Sequence, residues 1–145
     1  MPRVCVDANL VVARVLPDER SDGLETLWSL WQQENIAPFG PPLLYAEVPS
    51  VLRGTVHFGR ISAAEGDRAF QDFHDLGIAI STRADLHILA WALAKEHNRP
   101  SADCDAMYLA AAQAEGCELW TGDRRLVNAV NLPWVRWIGE AAPLG

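Results

Sequence analysis

The stretch RVCVDANLVVARVL, residues 3–16, places an aspartate between two apolar segments. Residues 3–6 are short and rich in valine, which is typical of a buried strand. Residues 9–16 are predicted to form a short helix, and Pro17 ends it because proline cannot continue the helical hydrogen-bond ladder. Asp7 therefore lies where a strand ends and a helix begins.

The same alternation of strand and helix continues along the chain. Further strands are predicted at residues 36–40, 78–81, 118–121 and 135–138, and helices at residues 23–35, 41–56, 62–74, 84–97, 105–115 and 123–130. Strands that alternate with helices imply a mostly parallel sheet covered by helices on both faces. We therefore predict a single α/β domain over residues 1–145, with about four to five strands in its central sheet.

The composition agrees with such a domain. The 145 residues are 50% hydrophobic and 21% charged, which is ordinary for a globular protein. No apolar run approaches the roughly 18 residues that span a bilayer, and the N-terminal residues lack the apolar core of a signal peptide. The three cysteines are odd in number and lack metal-type spacing, so reduced thiols are predicted. We therefore expect a cytoplasmic protein with no membrane contact.

The charge bears on possible partners. A net charge of −7 disfavours a protein that binds nucleic acid through a generic basic groove. It does not exclude an enzyme that meets phosphates through metal ions, because an acidic cluster is what holds such ions.

Several acids occupy positions where ligands are expected. Asp7 ends the first strand and Asp123 follows the fourth, and parallel sheets bind ligands beyond the carboxyl ends of their strands. Asp105 begins an apolar helix in the segment CDAMYLAAAQ, residues 104–113, and such a helix can open onto the same edge. Glu47 borders the apolar stripe of an earlier helix, where a carboxylate is costly unless it is paired or bound to a cation. Together these acids would repel each other without a cation, and hard oxygen ligands suit Mg²⁺ or Mn²⁺.

Each acid also has a simpler explanation. Asp7, Asp105 and Asp123 precede or begin helices, where aspartate is a favoured cap. Glu47 could lie at a helix boundary and reach solvent. Asp103 is the better candidate for capping the helix that follows it, which leaves Asp105 available for another role.

Four segments in this order, VDANLVV, LLYAEVPSVL, DAMYLAAA and LWTGDRRL, resemble the acidic motifs of PIN-domain ribonucleases. The likeness is closest to the VapC toxins of type II toxin–antitoxin pairs, and it covers essentially the whole chain. The resemblance implies a PIN-like domain with metal-dependent endoribonuclease activity and one or two bound Mg²⁺ or Mn²⁺ ions. A metal ion lowers the pKa of bound water, and a second can stabilise the leaving oxygen. By this analogy, the metal ligands and catalytic residues, here called the motif acids, are Asp7, Glu47, Asp105 and Asp123.

Further residues receive supporting roles from the same resemblance. Thr121 matches the small hydroxyl residue of the last motif and could hold the water or a ligand carboxylate, although a solvent-facing threonine is an alternative. Asn9 stands where the family often has Ser, Thr or Asn, which suggests a position behind the ligands. Asp103 adds a fifth carboxylate that could share a metal ion. Arg124 and Arg125 are candidate contacts for RNA phosphates, although exposed arginines at a helix start would look the same.

The resemblance also implies partners. These are an RNA substrate, a small antitoxin whose C-terminal segment covers the acidic cleft, and a second copy of the chain in a homodimer. Two alternatives remain open: a catalytically inactive PIN-like module that binds RNA or protein, and a haloacid-dehalogenase-like phosphatase. The phosphatase usually needs an aspartate where Asn9 stands and a lysine near the phosphate, whereas Lys95 is predicted in mid-helix.

Overall fold

The computed structural model describes residues 2–16 and 22–141. Its sheet consists of β1 (Arg3–Val6), β2 (Ala37–Gly40), β3 (Ala79–Ile80), β4 (Leu119–Thr121) and β5 (Val135–Trp137). The strand order is β3-β2-β1-β4-β5, and every pairing is parallel. The predicted α/β class, with a parallel central sheet, is confirmed.

Seven α-helices flank this sheet in the described residues. They are α1 (Ala8–Val15), α2 (Asp22–Gln33), α3 (Leu44–His57), α4 (Ala63–Asp75), α5 (Leu86–Glu96), α6 (Asp105–Glu115) and α7 (Arg124–Val130), with a 3-10 turn at Ile138–Glu140. In these same parts of the chain, no helix is both long and apolar enough to cross a membrane.

The start of α3 differs from the prediction. Pro41 and Pro42 lie in a turn before the helix and not within its first turn, and Leu44 donates its N–H to the Pro41 carbonyl at 3.0 Å. A residue that precedes proline is kept out of the helical region by contact with the proline ring. Pro41 therefore cannot easily adopt a helical conformation, because Pro42 follows it.

The core includes β1, the central strand of the sheet. Cys5 and Val6 are fully buried there, and α6 packs against β1, β2 and β4. The buried residues of α6 are mostly alanines, with Tyr108 and Leu109 among them, and the short side chains let the helix lie close to the strands. Its fully buried alanines are Ala106, Ala110, Ala111 and Ala112.

The pairing of β1 with β4 positions the residues that follow these strands. Val6 pairs with Trp120, and the N–H of Asp7 donates to the Trp120 carbonyl at 3.3 Å. Because the strands are parallel, Asp7 and Thr121 emerge side by side at the same edge of the sheet.

Candidate active site

Asp7 is held by three donors at this edge. Its carboxylate is buried, with an exposed fraction of 6%. Oδ1 accepts the N–H groups of Leu10 at 2.9 Å and Gly122 at 3.4 Å, and Oδ2 accepts the Thr121 hydroxyl. The bond from Leu10 caps α1, so the capping explanation for Asp7 is correct, but it uses only one of the two oxygens.

The pKa of Asp7 is nevertheless raised. Burial raises it from 3.8 to about 6 because the charged form loses its hydration, and the charge of Asp105 adds to the effect. The donors from Thr121, Leu10 and Gly122 lower the pKa but do not cancel the effect of burial. Asp7 is therefore a carboxylate whose ionised form is costly without a positive charge nearby.

Thr121 connects Asp7 to Asp123. It is fully buried, so the alternative of a solvent-facing threonine is wrong. Its hydroxyl donates to Asp7 and accepts the Asp123 N–H at 2.9 Å. The Asp123 carboxylate in turn accepts the Arg125 N–H at 2.9 Å and caps α7, so the capping explanation is correct here as well.

Gly122 allows the loop after β4 to approach α1 closely. A side chain at this position would begin 3.0 Å from Cβ of Asn9, which is tighter than ordinary contact. Asn9 itself is exposed on the first turn of α1. It lies beside the loop that carries Asp123, and its supporting role stays a prediction.

Asp105 begins α6 after a strained residue. Cys104 has φ 46° and ψ −114°, a conformation that costs a non-glycine residue about 1–3 kcal/mol. The predicted capping of α6 by the Asp103 side chain is wrong, because that carboxylate accepts the Ser101 hydroxyl at 2.6 Å. Only the backbone carbonyl of Asp103 reaches the helix, where it accepts the Ala106 N–H at 3.1 Å. The Asp103 carboxylate therefore bonds within the loop before α6 and leaves the helix without a side-chain cap.

The carboxylate of Asp105 contacts an arginine that the sequence analysis missed. Nη2 of Arg99 donates to Oδ2 of Asp105 at 3.2 Å, and the arginine side chain is 22% exposed. Among the described residues, this is the one ion pair that includes a motif acid. Their separation of six residues, across an irregular loop, follows no helical or strand periodicity that would have indicated the contact.

Glu47 lies in the first turn of α3 and is half-buried. Its Oε1 is buried and has no hydrogen-bond partner among the residues that the structure describes, so it does not simply reach solvent. Burial raises the pKa of this carboxyl, and the charges of Asp105 and Asp103 raise it further. The Tyr108 hydroxyl is also buried and lies beside Glu47, although it makes no hydrogen bond within 3.5 Å in the described residues. Burial raises the pKa of Tyr108, and the charge of Glu47 and the contact with its carboxylate raise it further, while the same contact lowers the pKa of Glu47.

Asp105 raises the pKa of both Asp7 and Glu47, so these three carboxylates share one electrostatic environment. Asp123 joins them through Thr121. Within residues 2–16 and 22–141, however, no three His, Cys, Asp or Glu side chains are gathered in a group that would enclose a metal ion. Two effects keep these side chains apart: the carboxylates repel each other, and the ion pair with Arg99 holds Asp105. The oxygen donors and the unpartnered Oε1 of Glu47 do fit the chemistry of a hard divalent cation.

The two arginines after Asp123 are exposed. The guanidinium of Arg124 lies 5.0 Å from the ring centroid of Trp137, a cation–π contact that positions it at the start of α7. The Arg125 side chain extends from the same first turn, so both remain candidates for phosphate contacts.

Comparison with known proteins identifies the fold. A family model described as "PIN domain" matches residues 4–131. The chain belongs to the PIN domain family. PIN domains are generally nucleases and generally bind divalent metal ions. No protein with a curated functional description matches this PIN domain.

A solved structure is similar to this PIN domain over nearly its whole length. It is the crystal structure of PAE2754 from Pyrobaculum aerophilum, with a TM-score of 0.68 over 96% of this chain and 92% of that chain. The sequences are 18% identical, so the similarity establishes the shared fold alone.

Proposed function

We propose that this PIN domain is a cytoplasmic Mg²⁺- or Mn²⁺-dependent endoribonuclease. The observation that carries the proposal is the clustering of carboxylates from separate elements. Asp7 follows β1, Glu47 lies on α3 and Asp105 begins α6, yet Asp105 raises the pKa of the other two. Buried carboxylates with raised pKa values are costly to a fold, and their proximity at the ligand-binding edge of a parallel sheet is typical of a functional site.

The four motif acids would hold the cation. A bound divalent cation supplies a Lewis acid for the phosphate and lowers the pKa of a coordinated water. The rest of the arrangement prepares the ligands. Thr121 holds Oδ2 of Asp7 and the backbone of Asp123 in one fixed relation, and Gly122 lets both approach α1. Ligands on rigid elements lose little conformational entropy when they bind a cation.

We further infer that the protein is the toxin of a type II toxin–antitoxin pair and acts as a homodimer. The order of the four motifs supports this inference, as does a net charge of −7 that complements a basic antitoxin segment. The Arg99–Asp105 contact illustrates how a guanidinium can lie against a motif acid. An antitoxin arginine could compete with metal ions in the same way. Mapping the antitoxin contacts to a surface away from the motif acids would contradict this inference.

The second candidate is a PIN-like module that binds RNA or protein without cleaving it. The observation that favours it is the absence of a compact metal-binding group in the described part of the chain. The haloacid-dehalogenase alternative has no support from the family match, which is to the PIN domain.

Cleavage of a mixed RNA pool by purified, antitoxin-free protein tests the proposal. The reactions contain Mg²⁺, Mn²⁺ or EDTA, and the variants are Asp7→Asn and, as a matched control, Asp67→Asn on the exposed face of α4. We expect cleavage that requires the metal, is lost in Asp7→Asn and is kept in Asp67→Asn. Cleavage that persists in EDTA would contradict the metal mechanism, and folded protein that never cleaves would favour the binding module.

A further inference from the structure

We propose that Arg99 binds a phosphate of the RNA substrate beside the motif acids. The inference rests on the proposed function and adds a substrate contact to it. The motif acids attract cations but repel the RNA backbone, so a site made only of carboxylates lacks a direct attraction for the strand. Arg99 is a cation that already lies in this environment, 3.2 Å from Asp105.

The guanidinium of Arg99 has donors to spare. It makes one hydrogen bond to Asp105, through Nη2, and its Nε is buried with no partner among the described residues. A guanidinium carries five N–H groups, and a buried donor without an acceptor is destabilising. Phosphate oxygens accept from guanidinium N–H groups, and the Arg99 side chain is 22% exposed, so a phosphate at its accessible edge would use N–H groups that Asp105 leaves free.

A comparison within the chain separates this arrangement from a structural ion pair. Arg83 donates to Asp85 through both Nε and Nη2, at 2.9 and 2.8 Å, so that both carboxylate oxygens are used. Arg99 contacts one oxygen of Asp105 through one nitrogen, although it is less exposed than Arg83. The Arg99–Asp105 pair therefore uses only half of the possible contacts. Oδ1 of Asp105 accepts nothing from Arg99, and Nε of Arg99 donates nothing to Asp105.

The backbone of Arg99 is fixed in place. Its N–H donates to the Ala94 carbonyl at 2.7 Å, which ties it to the end of α5. Asn98 has φ 51°, in the left-handed region, and Pro100 restricts Arg99 to extended conformations. The guanidinium thus projects from an anchored turn toward Asp105, as a preorganised binding group should.

Equilibrium binding of a labelled single-stranded RNA in EDTA, without cleavage, tests the proposal. We compare wild type, Arg99→Gln and Arg99→Lys over a series of salt concentrations. The control is Arg83→Gln, which also removes one ion pair. Arg83 lies near the other end of α6 from Asp105. The charge of Glu115, the last residue of that helix, is close enough to contribute to the raised pKa of Arg83, whereas Asp105 is the first residue of the helix.

We expect Arg99→Gln to weaken binding about tenfold or more and to reduce the steepness of log K against log salt by about 0.7–1. Arg99→Lys keeps the charge and should retain the salt dependence with an intermediate affinity. Arg83→Gln should bind like wild type. Affinity and salt dependence that are unchanged in Arg99→Gln would overturn the proposal.

A second arm distinguishes phosphate binding from support of Asp105. If Arg99 only holds that acid in place, Arg99→Gln has no effect on RNA affinity in an Asp105→Asn background, and the proposal fails. We expect at least as large a loss in the Asp105→Asn background, since the phosphate contact requires Arg99 and no longer competes with the charge of Asp105. Wild type that cleaves RNA while Arg99→Gln binds normally refutes this inference alone. Wild type that binds no RNA in EDTA and cleaves none with Mg²⁺ or Mn²⁺ refutes it together with the proposed function.

Discussion

Replacing Asp7 by asparagine should stabilise the metal-free protein at neutral pH while it abolishes cleavage. Asparagine has nearly the shape of aspartate and no charge. Its Oδ1 can accept the N–H groups of Leu10 and Gly122, and its amide can donate to the Thr121 hydroxyl, which now donates to Asp7. The substitution therefore removes the buried negative charge and keeps the acceptor for Leu10 and Gly122, although the Thr121 hydroxyl proton loses its carboxylate acceptor. That loss does not depend on pH, so the pH dependence below reports the charge alone.

The size of the effect follows from the pKa of Asp7. Burial raises this pKa from 3.8 to about 6 in the folded protein, so the folded chain keeps the proton to a higher pH than the unfolded chain. The stability that Asp7 contributes is fully present below about pH 3.8 and is lost as the pH rises through about 6. At about 1.36 kcal/mol for each tenfold change in proton affinity, the total loss is about 3 kcal/mol. About 2 kcal/mol of it falls between about pH 4 and about pH 7.

Thermal and urea unfolding in EDTA measure this loss. Wild type and Asp7→Asn are compared at several pH values between about 4 and about 7, with Asp67→Asn as the control for removing one exposed charge. We expect the stability of Asp7→Asn relative to wild type to grow by about 2 kcal/mol as the pH rises. In a domain of this size, that corresponds to several degrees in Tm. A difference that stays constant over this range, or that shrinks, would refute the argument that burial sets the pKa of Asp7.

Three further predictions concern the same site. Thr121→Val removes the hydroxyl that joins Asp7 to Asp123 and should lower the free energy of unfolding, measured by urea titration, by about 2–4 kcal/mol. Thr121→Ser keeps a hydroxyl and should retain most of the wild-type stability. If the two variants are equally stable, the hydroxyl does not join the two aspartates as described. Tyr108→Phe deletes the buried hydroxyl beside Glu47, and because that hydroxyl makes no hydrogen bond within 3.5 Å in the described residues, the stability of the metal-free protein should change by no more than about 1 kcal/mol. A larger loss would show that the contact with Glu47 is a full hydrogen bond. Saturating Mn²⁺ should raise the Tm of wild type but not that of Asp7→Asn, and an equal rise in both would place the ion elsewhere.

The sequence predicts the fold well because its signals are local. Buried parallel strands are short apolar runs, and residues 3–6 show this pattern as clearly as any segment of the chain. Prolines and capping residues mark several helix ends, as Ser62 does at α4. The strand order has no such local signal, because pairing β1 with both β2 and β4 depends on contacts between residues far apart in the chain.

The site is predicted less completely. Asp7 and Asp123 could be placed because they follow parallel strands, whose carboxyl ends share one edge. The capping role assigned to Asp103 is wrong and the contact of Arg99 with Asp105 was missed. Both lie in or beside the loop between α5 and α6, where positive φ angles at two non-glycine residues direct the side chains. Periodicity carries no information about such a loop.

The pairing of β1 with β4 also determines when the site can form during synthesis of the chain. Asp7 is translated 114 residues before Thr121, whose hydroxyl holds it. Until β4 has been translated, the nascent chain has neither that hydroxyl nor the strand that completes the pairing of β1. The complete set of acids is therefore assembled only after β4 has been translated, and any fragment that stops before β4 lacks the site.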